Sequence, residues 1–199
     1  MICTKPLNFA VFLGSTRPGR EAPRISELVA QRLEQLGHKV TLLDPVEFPS
    51  LETFHKPIHH YKEGEEVPAE LAAWASRLKA VDGFAIVACE YNHAPSPALL
   101  AVLDHFYEQQ YLFKASAIFT YSWGYAGGGR SAFVLRNVLG QLGLITCPTI
   151  VSLPLGDLYH RESQDIKEKW SVLIDKAINE LVWYTASLKT SRETTGLPY

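Results

Sequence analysis

The sequence predicts an α/β protein in which a five-stranded parallel sheet is covered by helices on both faces. Two runs of apolar residues, 9–13 and 84–88, lack the alternation of a half-exposed strand, so each predicts a strand buried on both faces. Strand-like segments alternate along the chain with segments of helical spacing, a pattern typical of parallel sheets. The two buried runs also end abruptly in polar loops, where proteins of this class bind ligands.

The first half of the chain contains two strand–helix units. Residues 9–13 form the first strand, and apolar residues at steps of three and four predict the helix that follows: Ile25, Leu28, Val29, Leu33 and Leu36. Gly37 is expected to end this helix, and residues 38–43 form the second strand. A long polar loop spans residues 44–67, and Pro68 begins the second helix.

The third and fourth strands are each followed by a distinctive loop. Residues 84–88 form the third strand, and Ser96 and Pro97 are typical of the N-cap and first turn of the next helix. Residues 115–121 form the fourth strand, which leads into the glycine-rich loop 122–129. The glycines of this loop indicate backbone conformations, or a close ligand approach, that a Cβ would obstruct.

A helix over 130–142, a strand over 144–151 and a final helix complete the pattern. Ser163 is expected to cap the final helix, whose apolar residues keep helical spacing until about residue 185. Because the pattern is then lost, we predict one domain over residues 1–185 and a C-terminal tail over 186–199.

Five strands alternating with helices in a chain of this length predict a flavodoxin-like fold with strand order 2-1-3-4-5. Right-handed crossovers then place the loops after strands one, three and four together at the carboxyl edge of the sheet. Each of these loops has an unusual composition, so their convergence predicts a ligand site at this edge.

Composition excludes several classes of partner. The net charge of −2 over 199 residues gives no field that would favour nucleic acid or an anionic membrane. No apolar run approaches the roughly 18–20 residues of a membrane span, and the N-terminus lacks the apolar core of a signal peptide. Three widely spaced cysteines, Cys3, Cys89 and Cys147, indicate reduced thiols. We therefore expect a cytoplasmic protein.

The loop after the first strand, residues 14–20, combines glycine, hydroxyl and guanidinium groups. Ser15 and Thr16 supply hydroxyl donors. Arg17 and Arg20 supply positive charges in a geometry suited to phosphate oxygens. The N-terminus of the next helix adds free N–H groups and a partial positive charge. The loop is therefore a candidate phosphate site, although a turn with two solvated arginines would have the same composition.

Neither common nucleotide motif fits this loop. Thr16 stands where a dinucleotide fingerprint has its second glycine, next to the pyrophosphate. Gly14 and Gly19 have the spacing of a mononucleotide P-loop. However, Arg20 and Glu21 replace the lysine and the hydroxyl residue of that motif. A loop of hydroxyls and arginines instead suits a terminal phosphate monoester, such as that of FMN.

The other two loops carry aromatic residues beside turn-forming or glycine backbone. Tyr91 and His93 follow the third strand. Trp123 and Tyr125 follow the fourth. Rings that flank such backbone suit a flat heteroaromatic ligand, whose nitrogen and carbonyl groups the backbone N–H groups would contact. Tyr91 and Trp123 could also belong to the core, and Glu90 could form local hydrogen bonds instead of touching a ligand.

Three motifs, in order along the chain, are together more specific than any one of them. They are Gly14-Ser15-Thr16-Arg17-Pro18-Gly19-Arg20, then Glu90-Tyr91-Asn92 followed by Pro97-Ala98-Leu99-Leu100, then Ser122-Trp123-Gly124-Tyr125-Ala126-Gly127-Gly128. These motifs resemble the NADPH-dependent FMN reductase family, whose members reduce flavin, quinones, azo dyes or chromate. The resemblance implies FMN as the cofactor and NADPH or NADH as the electron donor.

The resemblance also implies roles for residues of all three loops. Ser15, Arg17 and Arg20 would bind the FMN phosphate. Residues of the other two loops would line the isoalloxazine ring: Glu90, Tyr91, Asn92, His93, Ser122, Trp123, Gly124 and Gly127. The family commonly has a small residue where this chain has Trp123, which predicts a more occluded or differently selective pocket.

The implied chemistry is a ping-pong cycle. Hydride would pass from nicotinamide C4 to flavin N5, and then to a quinone, free flavin, azo compound or similar small acceptor. The protein would supply orientation and hydrogen-bond donors, so no general base is assigned and His93 is the candidate proton donor. The resemblance further implies a homodimer or homotetramer with FMN near the subunit interface.

Other classes of protein remain as alternatives. A non-catalytic FMN-binding redox sensor or interaction module would keep the same three loops. A nucleotide- or sugar-phosphate-binding α/β protein would keep the first loop and bind no flavin. A serine hydrolase is disfavoured because Gly129-Arg130-Ser131-Ala132-Phe133 lacks the last glycine of a nucleophile elbow. A metal site on His55, His59 and His60 is only weakly indicated, because the loop gives these residues no fixed frame.

Overall fold

A computed structural model describes residues 5–51, 53–160 and 165–199. The strands form one parallel sheet in the order β2-β1-β3-β4-β5, so the predicted topology is confirmed. The strands are β1 (Asn8–Gly14), β2 (Lys39–Leu43), β3 (Gly83–Cys89), β4 (Ala115–Ser122) and β5 (Ile145–Pro154). The helices are α1 (Ala22–Gln35), α2 (Ala69–Ala80), α3 (Pro97–Asp104), α4 (Glu108–Tyr111), α5 (Gly129–Gln141), α6 (Leu155–Leu158) and α7 (Glu168–Thr194).

The helix boundaries follow from the capping residues that the sequence contains. Ser96 accepts a hydrogen bond from the backbone N–H of Leu99 (3.2 Å), and α3 begins at Pro97, as predicted. Gly37 comes just after α1 with a φ of 84°, the left-handed conformation that ends many helices. Pro68 occupies the cap position immediately before α2. Three short 3₁₀ turns lie in the long polar stretch between β2 and α2.

Helices cover both faces of the sheet. On one face, α1 and α7 bury side chains of the central strands, including Phe9 and Phe119. On the other face, α2, α3 and α5 enclose an aromatic cluster in which Trp74 lies 6.1 Å from Phe12 and 6.4 Å from Phe106 between ring centroids. Every residue of β3 is buried, as the apolar run predicts. This double cover fixes the ends of the central strands, which carry the candidate site.

The edge strand β5 is longer than predicted and contains a bulge. Pro148, which cannot donate a ladder hydrogen bond, lies where the register with β4 shifts. Glu180 of α7 accepts hydrogen bonds from the backbone N–H and the hydroxyl of Thr149, at 2.9 and 2.6 Å. Arg136 of α5 donates to the carbonyl of Cys147 at 2.8 Å. Side chains from both neighbouring helices therefore satisfy backbone groups at the bulge.

The final helix differs most from the prediction. Ser163, the predicted cap, lies outside the described residues, and α7 begins at Glu168. The prediction that helical structure is lost after residue 185 is wrong, because α7 continues to Thr194. Its last turns are held by polar contacts that apolar spacing cannot reveal: Lys189 pairs with Asp82 (3.0 Å) and Arg192 donates to the carbonyl of Phe113. No helix of the described ranges has an apolar stretch that could cross a membrane.

Lys114, immediately before β4, is expected to make the free energy of unfolding depend on pH in an unusual way. Its side chain is buried and its Nζ donates to the carbonyls of Leu78 and Lys79, at 2.9 and 3.1 Å. Burial, with a smaller effect from Arg192, lowers the pKa of Lys114 to about 8. Above this pH the folded state loses the proton while the unfolded state keeps it, so this residue's contribution to stability increases with pH.

We therefore expect the stability difference between wild type and Lys114→Met to shift in favour of the wild type as the pH is raised from 7.5 to 9.5. The expected shift is about 1–2 kcal/mol in the free energy of unfolding. Urea unfolding of both proteins at the two pH values measures it. A difference that stays constant with pH would show that Lys114 titrates normally.

Candidate functional site

The three loops of unusual composition meet at the carboxyl edge of the sheet, as predicted. Gly14 at the end of β1 is in register with Ala88 of β3. Cys89 at the end of β3 is in register with Tyr121 of β4. The loops that follow these strands are therefore neighbours: the first loop (15–21), the second loop (90–96) and the third loop (123–128).

Close packing around Gly14 joins the first loop to the second. The carbonyl of Gly14 accepts hydrogen bonds from the hydroxyl of Ser96 (2.8 Å) and the thiol of Cys89 (3.3 Å). A Cβ at Gly14 would lie 2.5 Å from the carbonyl oxygen of Val87, so only glycine fits. The start of the first loop is thus fixed to β3 and to the cap of α3.

Two of the predicted phosphate-binding residues lie beside Tyr91 of the second loop. Ser15 is buried, with its hydroxyl 3.3 Å from that of Tyr91. Arg17 is exposed, and its guanidinium carbon lies 5.9 Å from the centroid of the Tyr91 ring. The structure therefore brings a hydroxyl, a solvent-facing cation and an aromatic ring together where β1 and β3 end.

Arg20, the third predicted phosphate-binding residue, is directed toward the end of β2. Its guanidinium forms an ion pair with Asp44, so part of its charge is compensated within the protein. Its Nε is buried and has no hydrogen-bond partner among the described residues. An unsatisfied buried donor is costly, and an anionic oxygen at this loop would satisfy it. This feature fits a phosphate group.

Asn92 and His93 form the tip of a tight turn in the second loop. Tyr91 and Ala94 exchange backbone hydrogen bonds of 2.9 and 3.0 Å, which close the turn. Asn92 and His93 both have a positive φ, at 50° and 67°, a backbone conformation that residues other than glycine seldom adopt. Both residues are exposed. Strained backbone of this kind is concentrated at ligand-binding sites.

The carboxylate of Glu90 hydrogen-bonds to the start of α5. Its Oε2 accepts hydrogen bonds from the backbone N–H groups of Arg130 and Ser131, at 3.1 and 3.2 Å. It also lies 3.6 Å from the Arg130 guanidinium. Because Gly128 at the N-cap has no side chain, Glu90 caps α5 from the neighbouring loop. Its carboxylate connects the second and third loops.

This arrangement predicts that Glu90→Ala lowers the free energy of unfolding by about 1–2 kcal/mol, because two helix N–H groups lose their acceptor. Glu90→Gln is the matched control, since its amide oxygen can still accept from the same groups and only the charge is lost. Urea unfolding of the FMN-free protein measures both effects. An alanine variant as stable as the wild type would show that the cap contributes nothing.

The third loop is a compact turn with two exposed rings. The N–H of Gly127 donates to the carbonyl of Gly124 (3.0 Å), and the hydroxyl of Ser122 lies 3.3 Å from the same carbonyl. Trp123 and Tyr125 are 71% and 88% exposed. Neither ring belongs to the core, so the alternative of a core role for Trp123 is wrong. Large exposed aromatic side chains at the carboxyl edge of a parallel sheet are typical of binding surfaces.

Gly127 lies against β5 and not toward an open ligand space. A Cβ at this position would lie 2.6 Å from the backbone nitrogen of Leu153, and its φ is 58°. Its carbonyl accepts a hydrogen bond of 3.0 Å from the hydroxyl of Thr120. The glycine therefore permits the third loop to pack on the sheet, which is one of the two explanations that the sequence left open.

Tyr121 was not predicted to lie beside the first loop, because its position in a buried strand is typical of a core residue. Its hydroxyl is buried near Ser15 and has no well-formed hydrogen bond within the described parts of the chain. Burial raises the pKa of Tyr121 well above its ordinary value, and burial also raises the pKa of the Cys89 thiol. Both groups are therefore neutral near pH 7 and add no negative charge next to the first loop.

A metal centre finds no support in the structure. Across residues 5–51, 53–160 and 165–199, no three His, Cys, Asp or Glu side chains are grouped so that they could hold a metal ion. His59 instead packs against His60 and Tyr107, at 4.5 and 5.1 Å between ring centroids. His59 and His60 therefore contribute ring packing.

A doubly wound sheet with a loop of hydroxyl and guanidinium groups after β1 and aromatic loops after β3 and β4 is typical of flavodoxin-like flavin-binding proteins. Residues 7–157 match the family model described as NADPH-dependent FMN reductase. The chain belongs to this family, which confirms the resemblance seen in the three motifs. It is accordingly an NAD(P)H-dependent flavin oxidoreductase with FMN as its cofactor.

Named relatives agree with this assignment. An NAD(P)H-dependent FMN reductase from Schizosaccharomyces pombe is 28% identical over 153 residues, which cover 73% of this chain and 72% of the relative. Two solved structures share the fold with a TM-score of 0.73. FerB, a flavoenzyme NAD(P)H:(acceptor) oxidoreductase from Paracoccus denitrificans, is 17% identical, and the match covers 91% of this chain and 98% of FerB. An NADH:FMN oxidoreductase, EmoB, is 16% identical with 97% of each chain covered.

Proposed function

We propose that the protein catalyses a ping-pong reaction that reduces a small acceptor such as a quinone, free flavin or azo compound at the expense of NAD(P)H. When bound, FMN supplies the redox chemistry, accepting a hydride from the nicotinamide and later passing reducing equivalents to the acceptor. The observation that best supports the proposal is the convergence of the three loops, with Arg17 and Ser15 both next to Tyr91.

Three side chains of the first loop would hold the FMN phosphate. Arg17 offers an exposed guanidinium, Ser15 a hydroxyl and Arg20 its unsatisfied buried Nε. The ion pair with Asp44 limits the conformations of the Arg20 side chain before an anion binds. Together these groups provide a charged, directional site for a phosphate monoester.

The second and third loops would enclose the isoalloxazine ring. Tyr91, Asn92 and His93 would contribute one wall, and their turn exposes backbone groups that can hydrogen-bond a heterocycle. Ser122, Trp123 and Gly124 would contribute the other. Glu90 and Gly127 are better described as positioning residues, since the first caps α5 and the second packs on β5.

Protonation of the reduced acceptor would require only a small contribution from the protein. His93 lies exposed at the tip of the second loop and is the candidate proton donor. No side chain needs to act as a general base, because the protein's task is to orient its ligands and to exclude water.

We also propose a homodimer or homotetramer that works in the cytoplasm. Several large apolar side chains are exposed on α5 and α7, including Phe133 at 69% and Trp183 at 55%. Such side chains are typical of surfaces that subunits cover. The odd number of widely spaced cysteines favours a reducing compartment.

Steady-state kinetics with NADPH and a quinone as varied substrates tests this proposal. A ping-pong reaction gives parallel lines in double-reciprocal plots, whereas a ternary complex gives intersecting lines. Intersecting lines would overturn the proposed order of events. Bound FMN without turnover for quinone, free flavin or azo acceptors would favour the non-catalytic redox sensor.

A further inference from the structure

A small cavity opens beside the first loop, and among the residues that line it only Trp123 also belongs to the proposed FMN site. It has a volume of about 220 Å³ and lies between the start of α1, the third loop and the segment after β5. The side chains that define its chemistry are Glu21, Arg24, Trp123, Tyr159 and His160. Trp123 therefore faces a second binding space at the same edge of the sheet.

The walls of the cavity suit a planar heterocycle. The guanidinium carbon of Arg24 lies 3.6 Å from the centroid of the Tyr159 ring, so the two groups stack. Trp123 of the third loop also lines the cavity and is 71% exposed. A ligand that covered this indole ring would gain free energy, because burial of an indole ring is normally favourable. A heterocyclic ring in this cavity would cover Trp123 and contact the stacked pair.

The charges of the cavity suit a sugar phosphate next to that ring. Arg24 is only half-buried and can present its guanidinium to phosphate oxygens. Glu21 lies 4.0 Å from Arg24, and a carboxylate at such a site accepts hydrogen bonds from an unmodified ribose. The two side chains therefore favour different forms of the same ligand: Arg24 a phosphorylated ribose and Glu21 a ribose with free hydroxyls.

The size of the cavity indicates that it holds only one end of its ligand. Pockets that enclose a complete drug-sized ligand measure about 300–1,000 Å³. The electron donor of this family, NADPH, carries a heterocycle and a phosphorylated ribose at the end remote from its reactive ring. The donor must also reach the flavin site, whose third loop forms one wall of the cavity.

We infer that this cavity binds the adenosine end of the nicotinamide dinucleotide, and that Arg24 and Glu21 set the preference for NADPH over NADH. The inference rests on the proposed function and adds a specificity site to it. Arg24 attracts the 2′-phosphate, Glu21 opposes it, and Trp123 and Tyr159 hold the adenine whichever dinucleotide is present.

Calorimetric titration of the FMN-loaded protein with two fragments tests the inference without turnover. Adenosine 2′,5′-bisphosphate carries the distinguishing phosphate, and adenosine 5′-monophosphate lacks it. We expect the wild type to bind the bisphosphate about tenfold more tightly, as one charge-assisted phosphate contact allows. Arg24→Met removes the guanidinium but keeps a long side chain at this position, and it should abolish this preference.

Two further variants make the test specific. Glu21→Gln removes the opposing charge and should widen the preference for the bisphosphate about threefold or more. Trp123→Ala should weaken both fragments by a similar factor, because both contain the ring. The control is Arg77→Met, which removes an exposed arginine on α2 that lies 5.5 Å from the Phe48 ring and should leave both affinities unchanged.

Kinetics then separate failure of the inference from failure of the proposed function. With a quinone as acceptor, Arg24→Met should raise the KM for NADPH about tenfold and leave the KM for NADH unchanged. Equal fragment affinities in the wild type, or a preference that survives in Arg24→Met and does not grow in Glu21→Gln, would overturn the inference. Absence of turnover with either dinucleotide would instead contradict the proposed function.

Discussion

Replacing Gly127 by alanine is expected to destabilise the protein by about 2–4 kcal/mol and to displace the third loop. Two effects add at this position. The residue has a φ of 58°, which costs an L-amino acid free energy, and a Cβ would lie 2.6 Å from the backbone nitrogen of Leu153. Because the contact is with the backbone of β5, no side-chain rotation can relieve it.

Gly140→Ala is the matched control for this prediction. Gly140 lies inside α5, and the space around its Cβ position is open. The same substitution should therefore stabilise the protein there, by about 0.5–1 kcal/mol. Urea unfolding should be carried out on FMN-free protein, because bound cofactor adds its own linkage to the measured stability. If Gly127→Ala were as stable as the wild type, this would contradict the close packing of the third loop on β5.

Replacing Arg17 by alanine is expected to weaken FMN binding about 10- to 100-fold, which corresponds to about 1.5–3 kcal/mol for hydrogen bonds to a charged group. Arg17 is exposed and held near the Tyr91 ring, so its removal leaves no buried partner unsatisfied. The free energy of unfolding of the FMN-free protein should change by less than about 0.5 kcal/mol. Fluorescence titration of FMN, whose emission changes on binding, measures the affinity.

Arg77→Ala is the matched control for Arg17→Ala. Arg77 is also exposed and also lies over an aromatic ring, that of Phe48 at 5.5 Å, but it belongs to α2 and not to the first loop. Its loss should leave FMN affinity unchanged. Equal effects of the two substitutions would indicate a general charge effect and would contradict a phosphate contact by Arg17.

Much of the fold follows from local sequence, and the reason is physical. Strands buried on both faces must be continuously apolar, so residues 9–13 and 84–88 identify β1 and β3 without tertiary information. The chirality of crossovers then limits the topology and brings the three loops together. Ser96 and Gly37 end their helices through contacts made within a few residues, which a sequence can reveal.

The contacts that could not be predicted from the sequence depend on partners distant along the chain. Glu90 caps α5 about forty residues later, and Arg20 pairs with Asp44 across the sheet edge. The residue types of both fit a ligand site, and only the three-dimensional arrangement shows the neighbours that they contact. The same holds for the end of α7, where Lys189 reaches Asp82.

The residues that hold the three loops in position differ from the residues that would contact ligands. The central strands, Gly14 and the Glu90 cap hold the three loops in fixed positions. The groups that would contact ligands, including Arg17 and Trp123, lie at the surface of that frame. A cofactor enzyme needs both kinds of part, because its protein must orient a reactive group and leave that group accessible to substrates.

The visible absorption spectrum of the purified protein, reconstituted with FMN and then treated anaerobically with NADPH, tests whether the protein binds FMN and uses NADPH to reduce it. We expect one FMN per chain after removal of the unbound cofactor, and loss of the oxidised flavin absorption when NADPH is added. A colourless protein that does not retain FMN, or a bound flavin that NADPH leaves oxidised, would contradict this expectation.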